Sequence, residues 1–409
     1  MDHNRTEPAY RWVIVAISAI MLGGGVGLIA NGISVFFEPL HSEFGWKRGS
    51  VSLIYFSGIM GLALGGIVMG RIADRIAIRW VCLFGVIVMG LCLIAVARAD
   101  ALWQFNLCFF VAGFLGAGSL FAPLVANVGN WFSTNVGLAL GITSAGQALG
   151  QGGVPYGAAL LIGALGWRDA LMTMGLVALV VLLPLALLIR QPPKRAAAAM
   201  SDGADADDAF PVPLSTNTVV IWMSLAVVLC CTCMSVPLIH LVPLIQDRGV
   251  ALDQAAGVLF VMLMVAVVGR IAFGRLADMI GPIPAYFTAS CWQTLMVFFF
   301  IQMEALNSFY IFVVIYGFGY AGVMTGIIIC MRTLTPLSRR AGSLGIVTTF
   351  GWLGHGLGGY QGGFFYDLMG SYTLPYANAA FAGVLNLIVV GALYYTIRRR
   401  RGGEPALAH

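Results

Sequence analysis

Long apolar segments separated by short polar turns recur along the whole chain. Each segment holds about 20 or more residues, which is the length that an α-helix needs to cross a hydrocarbon core of about 30 Å. The pattern therefore predicts an all-α membrane protein with twelve transmembrane helices. The predicted helices cover approximately residues 12–36, 50–71, 79–97, 102–126, 136–163, 168–189, 217–241, 255–275, 283–303, 308–331, 343–366 and 377–397.

One polar stretch divides this series into two sets of six helices. Residues 190–215 contain Pro192, Pro193 and several acidic residues, and they are too poor in large apolar side chains to form a core. The sequence thus predicts two pseudo-symmetric six-helix halves. The predicted units are residues 1–189 for the N-terminal half, 190–215 for a cytoplasmic linker, 216–400 for the C-terminal half and 401–409 for a cytoplasmic tail.

The composition favours a membrane protein and excludes an ordinary soluble domain. Hydrophobic residues make up 60% of the chain and charged residues 10%, whereas soluble domains have about 25% charged residues. With both termini in the cytoplasm, 16 basic residues fall on inner segments and 5 on outer ones. Because inner loops are rich in Lys and Arg, we expect this orientation in the cell (inner) membrane. The net charge of +5 then reflects topology, so the expected partner is the lipid bilayer and not nucleic acid.

A short motif occurs once in each half. The segment Gly70-RIADR-Ile76 follows the second predicted helix, and Gly274-RLADM-Ile280 follows the eighth, 204 residues later. Internal repeats of this kind are how many secondary transporters are built. Two copies at equivalent places in the two halves favour a gated carrier over a channel.

The first copy resembles the loop motif G-x-x-x-D-R-x-G-R-[RK] of the major facilitator superfamily. It keeps the glycine, the acidic residue, the arginine and the last basic residue of that motif, and it departs at Ala77 and Ile78. The resemblance covers essentially the whole chain. It implies the major facilitator fold and an inner gate in which Asp74 pairs with the neighbouring helix in the outward-open state. A plain helix cap is the alternative role for Asp74. The residues expected in this gate are Gly70, Asp74, Arg75, Gly274 and Asp278.

One arginine, Arg270, falls inside the eighth apolar segment and not in a loop or a tail. Burying a guanidinium in a bilayer costs at least about 2.5 to 3.5 kcal/mol, so we expect a water-filled cavity and an anionic partner to offset the cost. A planar guanidinium binds a carboxylate through two parallel hydrogen bonds. The alternative is that Arg270 extends to the inner surface, since the end of its helix is only a few residues away.

Four loop segments carry a finer resemblance, together with Arg270 itself. The segments are Phe44-Gly-Trp-Lys-Arg48, residues 130–141, Gly166-Trp-Arg168 and residues 240–249. They are similar to the monocarboxylate transporter and oxalate/formate antiporter branch of the superfamily. In that branch an arginine on helix eight holds the substrate carboxylate, and Arg270 stands at the matching place. The branch often has an aspartate one turn earlier for proton coupling, where this chain has Ala266.

Two histidines and two neutral residues complete the predicted site. His355 lies near the middle of the eleventh predicted helix, where oxalate/formate antiporters carry a lysine. A histidine there can bind substrate, accept the coupling proton or make a simple hydrogen bond in a packing face. His240, before Pro243 in helix seven, is a candidate for proton coupling or an outer gate, or it satisfies backbone groups freed by nearby prolines. Tyr320 and Asn31 are the neutral residues expected in the substrate cavity.

These features together predict a secondary active transporter of small organic anions, above all monocarboxylates, that works by alternating access. Proton symport is the first expectation, because one proton neutralises a monoanion and removes an electrical cost of about 2.3 kcal/mol per 100 mV. Anion exchange, as in oxalate/formate antiport, is the alternative, and a membrane protein without transport activity is a third. The sequence shows no nucleophile, metal-ligand or acid-base cluster, so no enzyme activity, metal site or cofactor is expected. The expected form is a monomer that binds a small carboxylate with protons or a counter-anion.

Overall fold

The twelve predicted helices are all present. The structure is a computed structural model that describes residues 10–132, 136–192 and 213–402, and these residues contain no β-strand. A short helix, Phe37–Phe44, follows the first long helix. The long helices are α1 (Tyr10–Val35), α2 (Arg48–Ala73), α3 (Ile78–Val96), α4 (Leu102–Asn130), α5 (Val136–Leu165), α6 (Trp167–Leu188), α7 (Thr216–Gln246), α8 (Leu252–Ile280), α9 (Pro282–Gln302), α10 (Leu306–Leu334), α11 (Leu337–Met369) and α12 (Thr373–Gly402).

Length and composition allow almost all of these helices to cross a membrane. Eleven of the helices in the described residues are long and apolar enough to do so. The exception, α11, is long enough at 33 residues, but it is rich in glycine and carries His355 and Gln361. Helices suit this environment because hydrocarbon offers no partner to a backbone N–H or C=O, so each segment satisfies its own groups.

The two sides of the bundle can be told apart by the contacts between helix ends. On one side, Tyr10 donates a hydrogen bond to the carbonyl oxygen of Leu188 at 2.7 Å, and Arg400 donates to that of Pro213 at 3.1 Å. We call this the linker side, since α6 ends and α7 begins there. The turns from α1 to α2, from α7 to α8 and from α11 to α12 lie on the opposite side.

Several close contacts between the two halves lie along the part of each helix that is away from the linker. In the pair α2 and α11, Gly363 lies against the backbone of Arg48, and Gly356 lies against Met60. In the pair α5 and α8, Tyr156 stacks on Phe260 with ring centroids 5.5 Å apart. The halves are therefore joined most closely on the side opposite the linker.

Glycines allow several of these helices to approach closely. A β-carbon added at Gly146 of α5 would lie 2.7 Å from the carbonyl oxygen of Ala19 in α1, and one added at Gly150 would overlap Gly23. In α11, Gly354 and Gly358 lie equally close to α7. Small residues at such contacts let backbones approach and raise van der Waals contact, which is a main source of helix association in membranes.

Some of the predicted segments lie outside the described residues. The predicted linker falls largely on residues 193–212, and most of the predicted tail falls on residues 403–409. The ends of α6 at Leu188 and α7 at Thr216 are described. The division into residues 1–189 and 216–400 therefore remains a prediction about units, while the helix bounds within them are observed.

The contact between α1 and α5 yields a first testable prediction. Gly150→Ala should lower the midpoint of thermal unfolding, because the added methyl group meets the backbone of Gly23 and overpacking costs about 1 to 3 kcal/mol. The matched control is Gly153→Ala on the same helix, where a β-carbon would have no neighbour within 4 Å. That change should leave the midpoint unchanged or raise it slightly, since alanine favours a helix over glycine by about 1 kcal/mol. Equal midpoints for the two variants in detergent would contradict the packing.

Candidate functional site

Arg270 lies in the second half of α8 and contacts the other half of the protein. Its Nη1 donates a hydrogen bond to the carbonyl oxygen of Ser144 in α5, at 2.7 Å. Its Nε is buried and has no hydrogen-bond partner. A guanidinium has five N–H donors, so Arg270 retains donors for a further acceptor at the boundary between the two halves.

No carboxylate neutralises Arg270 within the part of the chain that the structure describes. The ion pairs found there join other residues, and the position one turn earlier holds the fully buried Ala266. A buried charge without a partner is strongly unfavourable. An anion that binds beside Arg270 would therefore supply the counter-ion that the guanidinium lacks.

Tyr320 of α10 lies near Arg270 and stacks on a second tyrosine of the same helix. Tyr320 is buried and is an electrostatic neighbour of the guanidinium, and its ring stacks on Tyr316 with centroids 5.9 Å apart. The hydroxyl of Tyr316 is buried and has no hydrogen-bond partner. The structure thus brings one predicted site residue, Tyr320, close to Arg270, and the ring of Tyr316 packs behind that of Tyr320.

Tyr55 of α2 is a further member of this region that sequence reasoning missed. Its side chain is fully buried, lies directly against Gly359 of α11, and is an electrostatic neighbour of Tyr320. Tyr55 therefore contributes an aromatic side chain from the N-terminal half. No signal in the sequence separates this tyrosine from others that only pack between helices.

Asn31 marks an irregular point in α1. The helix changes there from a π-helical turn, Gly27–Asn31, to a 3₁₀ turn, Gly32–Val35. The backbone carbonyl of Asn31 accepts a hydrogen bond from the Ser34 hydroxyl at 2.8 Å, whereas its side-chain Nδ2 is buried without a partner. Irregular turns of this kind are frequent at functional sites in helices, and this one presents a free amide donor.

His355 of α11 is buried among aromatic side chains. Its ring lies 5.5 Å from that of Trp352, which in turn contacts Phe121 of α4 edge to face at 5.4 Å. Within the described residues, no hydrogen bond to the His355 ring is found, although only 7% of this residue is exposed. The hydrogen bond in a packing face that was one expectation for His355 is therefore absent from this part of the chain.

His240 has two partners and lies toward the side opposite the linker. Its Nε2 is 2.7 Å from the carbonyl oxygen of Gly359, and its Nδ1 is 3.1 Å from the hydroxyl of Tyr372. Since a carbonyl can only accept, Nε2 carries the proton and Nδ1 accepts from the tyrosine. His240 thus joins α7 to α11 and does not satisfy the carbonyls of its own proline-containing helix.

The predicted inner-gate residues lie at the linker side of α2 and α8. Asp74, Arg75 and Asp278 are exposed, and Gly70 and Gly274 are partly buried. Among the described residues, the ion pairs include neither aspartate. The structure therefore places both copies of the motif at equivalent helix ends without a closed gate between them.

Two of the segments that carried the finer resemblance, Phe44–Arg48 and Gly166–Arg168, meet on the side opposite the linker, whereas Trp131 of the segment 130–141 bonds to the carbonyl oxygen of Arg190 on the linker side. Arg168 donates to Glu43 at 2.7 Å and to Asp100 at 2.7 Å, and the ring of Phe44 stacks on Trp46 with centroids 4.4 Å apart. All of these residues belong to the N-terminal half. The hydrogen bond from Arg168 holds the pKa of Glu43 below its ordinary value of 4.5. This cluster fastens the loop between α1 and α2 to the start of α6.

Metal binding has no support in the described residues. No group of three or more His, Cys, Asp or Glu side chains there could hold a metal ion. The eight cysteines are all free, and five of them are buried.

Comparison with known proteins identifies the family. The sequence profile of the Major Facilitator Superfamily matches residues 14–327, which is more than half of the chain. The protein belongs to this superfamily, and it is a transporter and not an enzyme. The twelve-helix fold and the resemblance drawn from the motif at Gly70 are thereby confirmed.

Three relatives illustrate the range of similarity. Monocarboxylate transporter 13 of Rattus norvegicus is 26% identical over 383 residues, which cover 92% of this chain and 88% of the relative. The 3-(3-hydroxy-phenyl)propionate transporter of Escherichia coli is 30% identical over 273 residues, which cover 63% of this chain and 61% of the relative. The third is a crystal structure of a bacterial homologue of the human lysosomal transporter Spinster in an inward-facing and occupied conformation. It superposes with a TM-score of 0.73 at 16% sequence identity, and the match covers 96% of this chain and 98% of the homologue. The last comparison shows the fold alone.

The cluster around Arg168 yields a prediction about pH. Arg168→Gln should lower the thermal stability at pH 7 by up to about 1 kcal/mol, since partly exposed ion pairs contribute little. Because the pKa of Glu43 is lowered in the folded protein, its stabilising effect is complete above about pH 4.5 and is lost as the pH falls through the folded pKa. The difference in unfolding midpoint between wild type and variant should therefore decrease below pH 4.5. The exposed Arg98, changed to Gln, is the control, and a difference that stays constant with pH would count against the ion pair.

Proposed function

We propose that the protein is a secondary transporter of small monocarboxylates in which Arg270 binds the substrate carboxylate. One observation carries the proposal: a partly buried arginine with no carboxylate partner in the described residues lies between the two halves. A carboxylate would supply the missing counter-ion, and two charge-assisted hydrogen bonds would fix its orientation. The position of Arg270 supports alternating access as the mechanism, since its hydrogen bond to Ser144 crosses the boundary between the halves.

The names of two relatives support the substrate class. One is named a monocarboxylate transporter, and the other is named for a propionate with an aromatic substituent. Both names describe a molecule with one carboxylate, and the second also names an aromatic ring. Tyr320 near Arg270, with its neighbours Tyr316 and Tyr55, suits such a molecule because tyrosines offer apolar surface with a polar hydroxyl.

The other predicted site residues have complementary parts in this proposal. Tyr320 supports the guanidinium and contacts the substrate, and Asn31 offers a free amide donor from the N-terminal half. His355 takes the coupling proton, because the helices of the described chain hold no Asp or Glu deep in the membrane and an imidazole changes charge near neutral pH. His240, already held by two partners, belongs to the outer gate.

The proposed orientation places the linker side in the cytoplasm of a cell (inner) membrane. Basic residues such as Arg71, Arg75, Arg275 and Arg400 lie at helix ends on this side, as expected for inner loops. The exposed Asp74 and Asp278 then face the cytoplasm in an open inner gate. Under this orientation the structure is closed toward the outside.

The first test of this function concerns Arg270. Arg270→Ala should weaken binding of lactate or 3-phenylpropionate by about 10- to 150-fold, since charged hydrogen bonds contribute about 1.5 to 3 kcal/mol. Arg270→Lys should fall between wild type and Arg270→Ala, because a lysine keeps the charge but not the bidentate geometry. Isothermal titration of the purified protein measures these affinities.

Arg275→Ala is the matched control for Arg270. Arg275 is on the same helix and carries the same charge, but it is exposed at the linker side. Its removal should leave carboxylate affinity unchanged. Normal affinity in Arg270→Ala, or equal losses in both variants, would show that the guanidinium of Arg270 is not the anion site.

A second test concerns proton coupling through His355. In proteoliposomes, His355→Gln should abolish the stimulation of carboxylate uptake by an inward proton gradient while leaving exchange of carboxylate for carboxylate intact. The exposed His41, changed to Gln, should behave like wild type. Gradient-driven uptake that survives in His355→Gln would remove this residue from coupling. Wild-type uptake that requires an internal anion and ignores the pH gradient would identify an exchanger instead.

A further inference from the structure

Arg48, the first residue of α2, joins the two halves of the protein on the side opposite the linker. Its Nη1 donates to Oδ2 of Asp247 at 2.9 Å, and its Nη2 donates to Oδ1 of the same carboxylate at 2.5 Å. Asp247 follows α7, so the pair connects the N-terminal half to the C-terminal half. The Arg48 side chain is only 16% exposed and that of Asp247 is 32% exposed. Bidentate and partly buried, this pair is stronger than an ordinary surface ion pair.

A second carboxylate of the C-terminal half binds the same helix end. Asp367, near the end of α11, accepts hydrogen bonds from the backbone N–H of Arg48 at 3.0 Å and of Gly49 at 2.7 Å. The first N–H groups of a helix have no partner within the helix, and a negative charge there is favoured by the helix dipole. A cap for α2 is thus supplied by the opposite half of the protein.

Aromatic rings complete this arrangement. The guanidinium of Arg48 lies over the ring of Tyr366 at 3.9 Å and 5.1 Å from that of Tyr372, distances at which a cation is attracted to an aromatic face. The hydroxyl of Tyr372 is also the partner of His240. We name Arg48, Asp247, Asp367, Tyr366 and Tyr372 the Arg48 cluster.

These interactions depend on close approach of α2 and α11. A β-carbon at Gly363 would lie 2.5 Å from the carbonyl oxygen of Arg48, so the two helices touch through their backbones at this point. If the halves separated on this side, the ion pair, the helix cap and the cation–π contacts would be lost together. On the linker side, by contrast, Asp74 and Asp278 lie exposed.

We propose that the Arg48 cluster is the gate that closes the transporter on the side opposite the linker. The gate opens by breaking the pair of Arg48 with Asp247 and by withdrawing Asp367 from the start of α2. Both carboxylates are then hydrated, and the path from that side to Arg270 is accessible. This inference rests on the proposed alternating-access transport, and it assigns functions to residues outside the predicted substrate site.

Hydrogen–deuterium exchange of the purified, substrate-free protein tests the gate. In Arg48→Gln, peptides from the start of α2 and the ends of α7 and α11 should exchange roughly tenfold faster, since the local opening equilibrium governs exchange. The linker-side ends of α2 and α8, around Asp74 and Asp278, should become better protected. Reciprocal protection is the decisive readout, because a contact that only stabilises the structure would not produce it.

Arg168→Gln is the matched control for this measurement. It also breaks ion pairs on the side opposite the linker, but Arg168, Glu43 and Asp100 all belong to the N-terminal half. Faster exchange there should stay local, with no change around Asp74 or Asp278. The gate assignment is overturned if Arg48→Gln gives the same local pattern as Arg168→Gln, or if exchange rises uniformly along the chain.

A steric variant keeps the test valid if Arg48→Gln does not fold. Gly363→Leu leaves every charge of the Arg48 cluster in place and forces α2 and α11 apart, so it should produce the same reciprocal pattern. Gly345→Leu, at a position of α11 where a β-carbon meets nothing within 4 Å, should not. No substrate enters these experiments. If Arg270 proves not to bind a carboxylate, the gate proposal is therefore unaffected. If the gate proposal fails, the proposal that Arg270 binds a carboxylate is unaffected.

Discussion

Hydrocarbon offers neither a hydrogen-bond partner nor a high dielectric to a polar group, and the organisation of this protein depends on that constraint. The backbone meets it by forming helices throughout the membrane region. Most buried polar side chains meet it through a partner, as His240 does with Gly359 and Tyr372. The exceptions are therefore informative. Arg270, Asn31 and Tyr316 are among the described residues that hold a buried polar atom without a partner, and in the proposed function Arg270 and Asn31 offer these donors to the substrate.

A transporter also has to hold two halves together without making them one rigid body. Within each half, glycines such as Gly150 and Gly354 let helices pack backbone to backbone, which favours stable units. Between the halves, the contacts on the side opposite the linker combine backbone packing at Gly363 with charged contacts, in which Asp247 binds the guanidinium of Arg48 and Asp367 accepts from its backbone N–H. Ion pairs and caps of this kind are replaced by water when the halves part, so their loss costs less than the separation of a large apolar interface.

The predictability of the site differed from residue to residue. Arg270 and His355 stood out because ionisable side chains are rare in membrane helices, and the absence of an acid at Ala266 was visible for the same reason. Tyr55 was missed, since a tyrosine in an apolar segment looks the same whether it packs or lines a cavity. Arg48 was noticed only as part of a loop motif. Its partners Asp247 and Asp367 lie 199 and 319 residues away, and no local pattern connects them.

The number and approximate bounds of the helices, their grouping into two related halves and the anomalous charge of Arg270 can be read from the chain alone. These properties depend on hydropathy along one helix length and on repeated motifs, which are local in the chain. The contacts of Arg270 with Ser144, of His240 with α11 and of Arg48 with the C-terminal half are visible only in the folded protein. Such contacts depend on how helices distant in sequence are arranged and rotated against one another, and neighbouring residues in the chain do not encode that arrangement.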